Sequence, residues 1–223
     1  MGRRAEPAGP GTEHHGRAGL TTAALAEIGG WGPFFEIRTE AVAPPWRPVR
    51  DLLTDLPARV DVVRGALGSD VRVAASVAQL GIAARLVAPP LGLFVHSGVW
   101  LAVDGLWWRG ELSGAFPLAT SGLVVDGPEG LIDWLARLVA ATAEFSVSRR
   151  VLWGNVASAL NGAASVIGGV RPDLAARAFA VVDELSRGHG VRRDGRFRRR
   201  SCCLIYRAAG RSAMCGDCVL RCD

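Results

Sequence analysis

The feature that most constrains this chain is the placement of its cysteines. All five lie between Cys202 and Cys222 of the 223-residue sequence, and none occurs before Cys202. Secreted proteins that rely on disulfides spread their cysteines along the chain to join distant loops. Concentration at one end is instead typical of a metal site, where several thiolates converge on one place. The C-terminal segment is therefore predicted to bind a metal ion or a metal cluster.

Four of these residues form the pattern C-C-x₁₁-C-x₂-C, namely Cys202, Cys203, Cys215 and Cys218. The Cys-x₂-Cys part places two thiolates on one tight turn, in which Gly216 supplies the conformational freedom that such a turn needs. The eleven-residue spacer can fold back and bring the adjacent pair against that turn. Four thiolates in one place satisfy either a zinc ion or an iron–sulfur cluster.

The adjacent pair favours an iron–sulfur cluster over zinc. Structural zinc usually takes its ligands from two Cys-x₂₋₄-Cys knuckles, because both thiolates of a knuckle must reach one ion. Consecutive side chains point apart, and two irons accept a diverging pair more easily than one zinc ion does. The spacing leaves zinc open, and a redox-active disulfide between Cys215 and Cys218 is a third alternative. Cys222 lies outside the pattern and is expected to be a bystander.

Composition indicates a soluble globular protein, with 49% apolar and 21% charged residues. The most apolar stretch, residues 86–103, is interrupted by two prolines, a histidine and a serine, so no transmembrane segment is predicted. The N-terminus lacks the apolar core of a signal peptide, and the cysteine usage fits a reducing compartment, so a cytoplasmic location is expected. Residues 1–19, which include His14–His15, are expected to form a disordered tail.

Hydrophobic spacing predicts a mainly helical α+β fold. Helices are expected over residues 21–28, 49–67 (divided at Pro57), 70–87 (ended by Pro89–Pro90), 128–139, 151–167 and 172–185. Between about residues 92 and 126 the period becomes that of strands. Asp104–Gly105 there predicts a two-residue type I′ turn within a small antiparallel β-meander. The predicted organisation is a tail (1–19), an α+β domain (20–190) and a basic, cysteine-rich segment (191–223) of the same domain.

A basic run precedes the cysteines. All 26 basic residues of the chain are arginines and the net charge is +5; the basic run contains Arg192, Arg193, Arg196, Arg198, Arg199 and Arg200. Arg198, Arg199 and Arg200 abut the cysteines, and Arg207 lies between the two cysteine pairs. These four are candidates to contact an acidic electron donor or an anionic chelate and to raise the reduction potential of a nearby cluster. A solvated linker is the alternative, and it is favoured for the rest of the run.

Other residue types give weaker signals. Trp100, Trp107, Trp108 and Trp153 are candidates for an apolar cleft, although core packing is the favoured interpretation. The sequence contains no Ser-His-Asp or GxSxG pattern, so no acid–base or nucleophilic catalyst is predicted. That absence fits electron transfer.

The motif also resembles a known family. RRRSCCLIYR (residues 198–207) and CGDCVL (residues 215–220) resemble the C-terminus of the FhuF-like ferric iron reductases, and residues 74–86 and 152–160 are similar to other family segments. The resemblance covers roughly residues 65–221. It implies that Cys202, Cys203, Cys215 and Cys218 bind a [2Fe–2S] cluster. It further implies reduction of ferric iron in hydroxamate-type siderophores, in the cytoplasm, with electrons from a ferredoxin or a reductase. The spacer has eleven residues here, against ten in the family.

Two rival functions remain at this stage. A zinc-stabilised module would use the basic run on nucleic-acid phosphates. Because the basic residues form one short run and the rest of the chain is near neutral, no nucleic-acid partner is predicted. A non-catalytic siderophore-binding or sensing protein is the second rival, and it leaves the four cysteines unexplained.

Overall fold

The structure is a computed structural model that describes residues 22–39, 42–111, 114–208 and 214–220. The predicted tail and Cys222 lie outside these residues, and the division into domains stays a prediction. The helices are α1 (residues 22–29), α2 (Leu56–Leu67), α3 (Val71–Ser97), α4 (Pro128–Ala143), α5 (Arg149–Val170) and α6 (Ala175–Leu185). The strands are β1 (Arg38–Thr39), β2 (Arg47–Pro48), β3 (Trp100–Leu101), β4 (Trp107–Trp108), β5 (Leu118–Thr120), β6 (Val125–Asp126), β7 (Gly190–Arg193) and β8 (Arg196–Arg199). The mainly helical α+β class is confirmed.

Helices α3 and α5 form the centre of the fold, and α2, α4 and α6 pack around them. The faces that meet are built largely from small residues, such as Ala75 and Ala78 on α3 and Ala159 and Ala163 on α5, all of them buried. Small side chains let the helix axes approach closely, and a cavity of about 260 Å³ beside this contact is lined by Leu80 and Ala84 of α3 and by Ala159 and Ala163 of α5. This helix pair is the support on which the cysteine segment lies.

Helix α3 continues through Pro89–Pro90, so the prediction that these prolines end it is wrong. Each proline lacks an N–H, and the helix therefore loses two of its i→i−4 hydrogen bonds. The helix persists because the stretch is buried on all sides: Val87, Leu91 and Leu93 have no exposed surface. It ends ten residues later than expected, at Gly98, whose φ of 78° permits the left-handed C-cap.

Helix α3 is also long and apolar enough to cross a membrane by length and composition. However, 72% of its most apolar window is buried inside the fold. That burial is what the core helix of a globular protein shows.

The short strands pair differently from the predicted hairpin. One sheet has the order β1-β5-β4-β2, antiparallel except for the parallel pair β1 and β5, and a second sheet pairs β3 with β6. The small antiparallel pairings are as expected, but Asp104–Gly105 lies in a 3₁₀ turn, and β3 and β4 on either side of it do not pair with each other. Trp100 of β3 and Trp108 of β4 are both buried in the core, and the two strands belong to different sheets. Residues 92–97 belong to α3 rather than to a strand.

A type I′ hairpin forms instead within the basic run. Asp194 and Gly195 have φ values of 50° and 75° and join β7 to β8 through a two-residue turn, as type I′ geometry requires. Phe197 anchors the hairpin, and its ring lies so close to Gly190 that a Cβ there would be 2.3 Å from it. The basic run is therefore an ordered hairpin and not a linker, and β8 leads directly into the cysteines.

A buried arginine holds the connections beside α3. The Arg85 guanidinium donates to the carbonyl oxygens of Phe116 at 2.8 Å, Phe34 at 2.7 Å and Glu36 at 2.6 Å. Burial lowers the pKa of Arg85 to about 10, against the opposing charge of Glu36. The guanidinium stays protonated at neutral pH and links the segment that contains Phe34 and Glu36 to the segment that contains Phe116.

Candidate metal centre

The two halves of the cysteine motif meet at the end of β8. The Arg199 backbone N–H donates to the carbonyl oxygen of Asp217 at 3.1 Å, which docks the Cys215–Cys218 turn beside the strand. The turn closes on itself through the Cys218 N–H and the Cys215 carbonyl oxygen at 3.2 Å. Gly216 has no positive φ, so the prediction that the turn needs the conformational freedom of this glycine is wrong. The Ser158 hydroxyl of α5 donates to the Asp217 carboxylate at 2.5 Å, so the turn is also attached to α5.

The four sulfurs form two pairs, each with one member from each half of the motif. The Sγ atoms of Cys203 and Cys215 are 3.6 Å apart, and Cys202 interacts electrostatically with Cys218. All four are free thiols. Two thiolates on one tetrahedral metal ion, with metal–sulfur bonds of about 2.3 Å, lie about 3.8 Å apart. The Cys203–Cys215 pair therefore already has the separation that a shared metal ion needs.

The arrangement fits a two-metal cluster better than a single ion. Within residues 22–39, 42–111, 114–208 and 214–220, no three His, Cys, Asp or Glu side chains converge closely enough to hold one metal ion. Tetrahedral zinc needs such convergence, whereas a [2Fe–2S] cluster takes two thiolates at each of two neighbouring irons. Two adjacent sulfur pairs match the second requirement.

Backbone N–H groups point at three of the sulfurs. Each of these sulfurs accepts from the residue two positions further along the chain, in the pairs Cys202–Leu204, Cys203–Ile205 and Cys218–Leu220. Leu204 has a φ of 68°, a left-handed conformation that costs a non-glycine residue roughly 1–2 kcal/mol. Its N–H donates to the sulfur of Cys202 at 3.4 Å. The turn thus supplies a donor to the first sulfur of an adjacent pair whose side chains diverge.

The fourth sulfur has a charged donor. Arg199 Nη2 donates to the Sγ of Cys215 at 2.7 Å, and Arg199 Nη1 donates to Oδ1 of Asn155 at 2.7 Å. The side chain is only 1% exposed. Burial alone would lower the pKa of Arg199, but attraction to and hydrogen bonds with Cys203 and Cys215 raise it above its ordinary value. A permanent positive charge is therefore fixed beside one sulfur pair.

Asn155 connects this arginine to both central helices. Its Nδ2 donates to the carbonyl oxygen of Ser76, to the Ser76 hydroxyl and to Oε1 of Gln79, at 2.9–3.0 Å. The Ser76 hydroxyl in turn donates to the carbonyl oxygen of Cys203 at 2.9 Å. Ser76, Gln79 and Asn155 have no exposed surface. These roles were not predicted from the sequence. The signal that could have revealed them is the presence of isolated polar residues on helix faces otherwise built from small apolar residues.

Two further polar atoms support the fit to a cluster. Arg199 Nε and the Ser201 hydroxyl are buried, and neither has a hydrogen-bond partner among the residues that the structure describes. Ser201 packs directly on Gly154 of α5, where a Cβ would meet its hydroxyl at 2.0 Å. Buried donors without acceptors are costly, and they flank the cysteines where the inorganic sulfides of a cluster would supply acceptors.

The sulfur pair next to Arg199 is poised to bind metal. The hydrogen bond with Cys215 lowers the pKa of Cys203 to about 5, and the charge of Arg199 adds to this effect against the opposing effect of burial. The pKa of Cys215 is raised, because the two sulfurs share one proton. The pair therefore carries one thiolate at neutral pH, which is the form that binds metals.

Of the four arginines predicted to contact a partner, one is buried, one is half-buried and two are exposed. Arg199 is buried and therefore does not offer itself to a donor or a chelate. Arg200 is exposed, and its carbonyl oxygen accepts from Arg150 at 3.2 Å. Arg207 lies 3.4 Å from the carboxylate of Asp70, at the N-terminus of α3. Arg198 lines a cleft of about 730 Å³ together with Val191, Arg193, Asp194 and Arg196.

The tryptophans pack mostly in the core. Trp100 and Trp108 are buried, as the favoured interpretation predicted, and Trp107 is half-buried in β4. Trp153 of α5 stacks on the His189 ring, with centroids 5.3 Å apart and planes at 13°. This stack lies beside the start of β7 and stiffens the base of the hairpin.

The site lies at the edge of the fold rather than inside it. Cys203 and Cys218 are buried, while Cys202 and Cys215 are partly exposed. One side of the sulfur set therefore faces the core and the other is open to partners in solution. Electron transfer over short distances needs such a position.

Comparison with known proteins identifies the segment. Residues 199–220 match the family model described as the FhuF 2Fe-2S C-terminal domain. The match includes Arg199 and all four cysteines of the motif, which confirms the resemblance for this segment and, with it, the [2Fe–2S] cofactor; the resemblance of residues 74–86 and 152–160 stays a prediction. A search of the curated proteins gave no match.

Proposed function

We propose that this protein is a [2Fe–2S] ferric-siderophore reductase, with the cluster held by Cys202, Cys203, Cys215 and Cys218. The observation that carries the proposal is the arrangement of the sulfurs. They form two cross-paired sets, with N–H donors on three sulfurs and a guanidinium on the fourth, in a segment of the FhuF [2Fe–2S] type. The reduction takes place in the cytoplasm, where thiols stay reduced.

The chemistry requires one electron and no acid–base residue. When bound, a [2Fe–2S] cluster takes up and gives out one electron at a time. Siderophores hold Fe(III) through hard oxygen ligands, and one electron converts the metal to Fe(II), which those ligands hold far less tightly. The electron comes from a separate donor such as a ferredoxin or a reductase. No covalent bond of the siderophore needs to break.

The protein's residues bind and tune rather than react. Four thiolates concentrate negative charge, which the N–H groups of Leu204, Ile205 and Leu220 and the charge of Arg199 offset. The buried thiolates of Cys203 and Cys218 keep water from the inner side of the site. The partly exposed side is where a donor and a ferric chelate come close.

The basic hairpin supplies a docking surface for these partners. Arg193, Arg196 and Arg198 line the cleft of about 730 Å³ beside β7 and β8, and Cys202 follows the end of β8 by three residues. A positive cleft attracts an acidic, ferredoxin-like donor or an anionic ferric chelate and raises its rate of association. Hydroxamate-type siderophores are the proposed substrate class, following the family resemblance.

The cofactor is tested first. Protein purified anaerobically from iron-replete cells should contain about two irons and two acid-labile sulfides per chain, because four thiolates bind one [2Fe–2S] cluster. Dithionite should bleach its visible absorption and produce a spin-half signal. Stoichiometric zinc without sulfide would replace the proposal with the zinc-stabilised binding module.

The activity is tested on the loaded protein. After chemical reduction, mixing with a ferric hydroxamate siderophore should restore the oxidised spectrum, while a ferrozine trap collects Fe(II). A loaded protein that transfers no electron to any of several ferric siderophores would leave a binding or sensing role instead.

A further inference from the structure

One charged side chain beside the sulfurs plays no part in metal ligation. Arg199 lies at the end of β8 with its guanidinium buried between α5 and the Cys215–Cys218 turn. A buried charge is costly unless it is paired and hydrogen-bonded. Its partners here are a ligand sulfur and the buried amide oxygen of Asn155.

The guanidinium serves one sulfur pair and not the other. It donates to Cys215 and also interacts with Cys203, the two members of the pair that are 3.6 Å apart. The contacts described for Cys202 and Cys218 are with backbone N–H groups and with each other. The electrostatic environment of the site is therefore asymmetric, with the fixed positive charge at the Cys203–Cys215 end.

The guanidinium is also held rigidly. Its second nitrogen donates to Asn155, whose amide is fixed by Ser76 and Gln79 of α3. The planar fork of arginine bridges two acceptors at once, which the point charge of a lysine ammonium does not reproduce. A charge that is both immobile and desolvated acts at full strength on its neighbours, whereas an exposed charge is screened by water and salt.

We propose that Arg199 is a positioning residue that sets the reduction potential of the site through the Cys215 sulfur, with Asn155 fixing its orientation. This inference rests on the proposed function, since it requires a cluster on the four cysteines. Uptake of an electron adds negative charge, and a fixed cation at 2.7 Å from a ligand sulfur stabilises that charge. Arg199 thereby raises the potential and makes the Cys203–Cys215 end the favoured place for the added charge.

Three variants of the full chain test this role. Arg199→Gln removes the charge, Arg199→Lys keeps the charge but loses the fork, and Arg200→Gln removes one charge from the exposed neighbour as a matched control. The readout is the midpoint potential, from an anaerobic redox titration followed by visible absorption. The equilibrium constant for one-electron reduction should fall at least about tenfold in Arg199→Gln, which is about 59 mV. It should fall less in Arg199→Lys, and by less than about threefold in Arg200→Gln.

A measurement on the unaltered sequence covers the case in which Arg199→Gln fails to bind a cluster. Protein grown with guanidinium-¹⁵N-labelled arginine should show ¹⁵N hyperfine coupling in the pulsed EPR spectrum of the reduced state. The backbone donors to sulfur come from Leu204, Ile205 and Leu220, so only an arginine side chain adds this signal. The coupling should persist in Arg200→Gln and change in Arg199→Lys.

The outcomes separate this inference from the proposed function. Iron and sulfide are measured first, and their absence from the unaltered protein defeats the proposed function and the inference together. A loaded protein without ¹⁵N coupling, or an Arg199→Gln potential no lower than that of Arg200→Gln, overturns the role of Arg199 and leaves the reductase intact.

Discussion

Replacing Asn155 should show most clearly how the stability of the fold depends on the network beside the metal centre. Replacing it by alanine removes a charge-assisted hydrogen bond from Arg199 and the amide donor shared by Ser76 and Gln79. A hydrogen bond to a charged group contributes about 1.5–3 kcal/mol and a neutral one about 1 kcal/mol, and the amide has two hydrogens to give. The expected loss in free energy of unfolding is therefore about 4 kcal/mol.

The control lies on the same helix. Asn161 is buried and accepts one hydrogen bond from Arg192 at 2.8 Å, so Asn161→Ala should cost less, about 1.5–3 kcal/mol. Anaerobic urea titrations of the loaded proteins should be followed by circular dichroism and by visible absorption in parallel. For this chain length, 4 kcal/mol corresponds to a fall in Tm of roughly 10 °C.

The prediction also concerns whether the circular dichroism and the visible absorption are lost at the same urea concentration. Because Asn155 joins both central helices to the cysteine segment, unfolding and loss of the visible absorption should coincide in the unaltered protein and separate in Asn155→Ala. An Asn155→Ala protein no less stable than Asn161→Ala, with coincident transitions, would refute the view that this network couples the helices to the site.

Three further predictions concern the cysteines, Leu204 and the basic hairpin. Cys222→Ser should leave the visible spectrum unchanged while Cys215→Ser loses or distorts it; the reverse result would mean that the ligand set is misassigned. Leu204→Gly should relieve the left-handed strain and leave the free energy of unfolding unchanged or raised by up to about 1 kcal/mol, measured by urea titration, since glycine adopts a positive φ freely but adds entropy to the unfolded chain; a loss above about 1 kcal/mol would refute the assignment of strain there. The double change of Arg196 and Arg198 to Gln should slow reduction by an acidic ferredoxin in stopped-flow measurements, more at 20 mM than at 500 mM salt, because a Debye length of about 10 Å at 0.1 M screens exposed charges; equal rates at every salt concentration would remove the hairpin from donor binding.

The sequence predicted the metal-binding residues as candidates because their chemistry is local. Four thiols in a 17-residue stretch from Cys202 to Cys218 can meet through one loop, and spacing carries that information. The helices were also foreseeable, since their apolar periodicity reflects burial on one face. Helix α3 was cut short because a double proline was expected to stop it, yet burial of Leu91 and Leu93 in the core outweighs two missing hydrogen bonds.

Other features depend on distant partners that a linear pattern does not contain. The sequence has three Asp-Gly pairs, at 104–105, 126–127 and 194–195, and only the last has flanking strands that pair with each other. The basic run resembled a solvated linker because arginines are usually exposed. The burial of Arg199 follows from Asn155, which is 44 residues away in the sequence. The spacing of the motif gives no hint of that partner.

Because the sulfurs pair across the motif, metal binding cross-links its two halves. Neither half contains a complete pair, because Cys203 joins Cys215 and Cys202 joins Cys218 across the intervening loop. Metal binding therefore ties the Cys215–Cys218 turn back to the end of β8, much as a disulfide would, and a cross-link closing about 15 residues is worth about 3 kcal/mol of lost freedom in the unfolded chain. A nascent chain in which Cys215 and Cys218 have not yet been synthesised has no complete sulfur pair, so insertion of the cluster has to wait for these two residues.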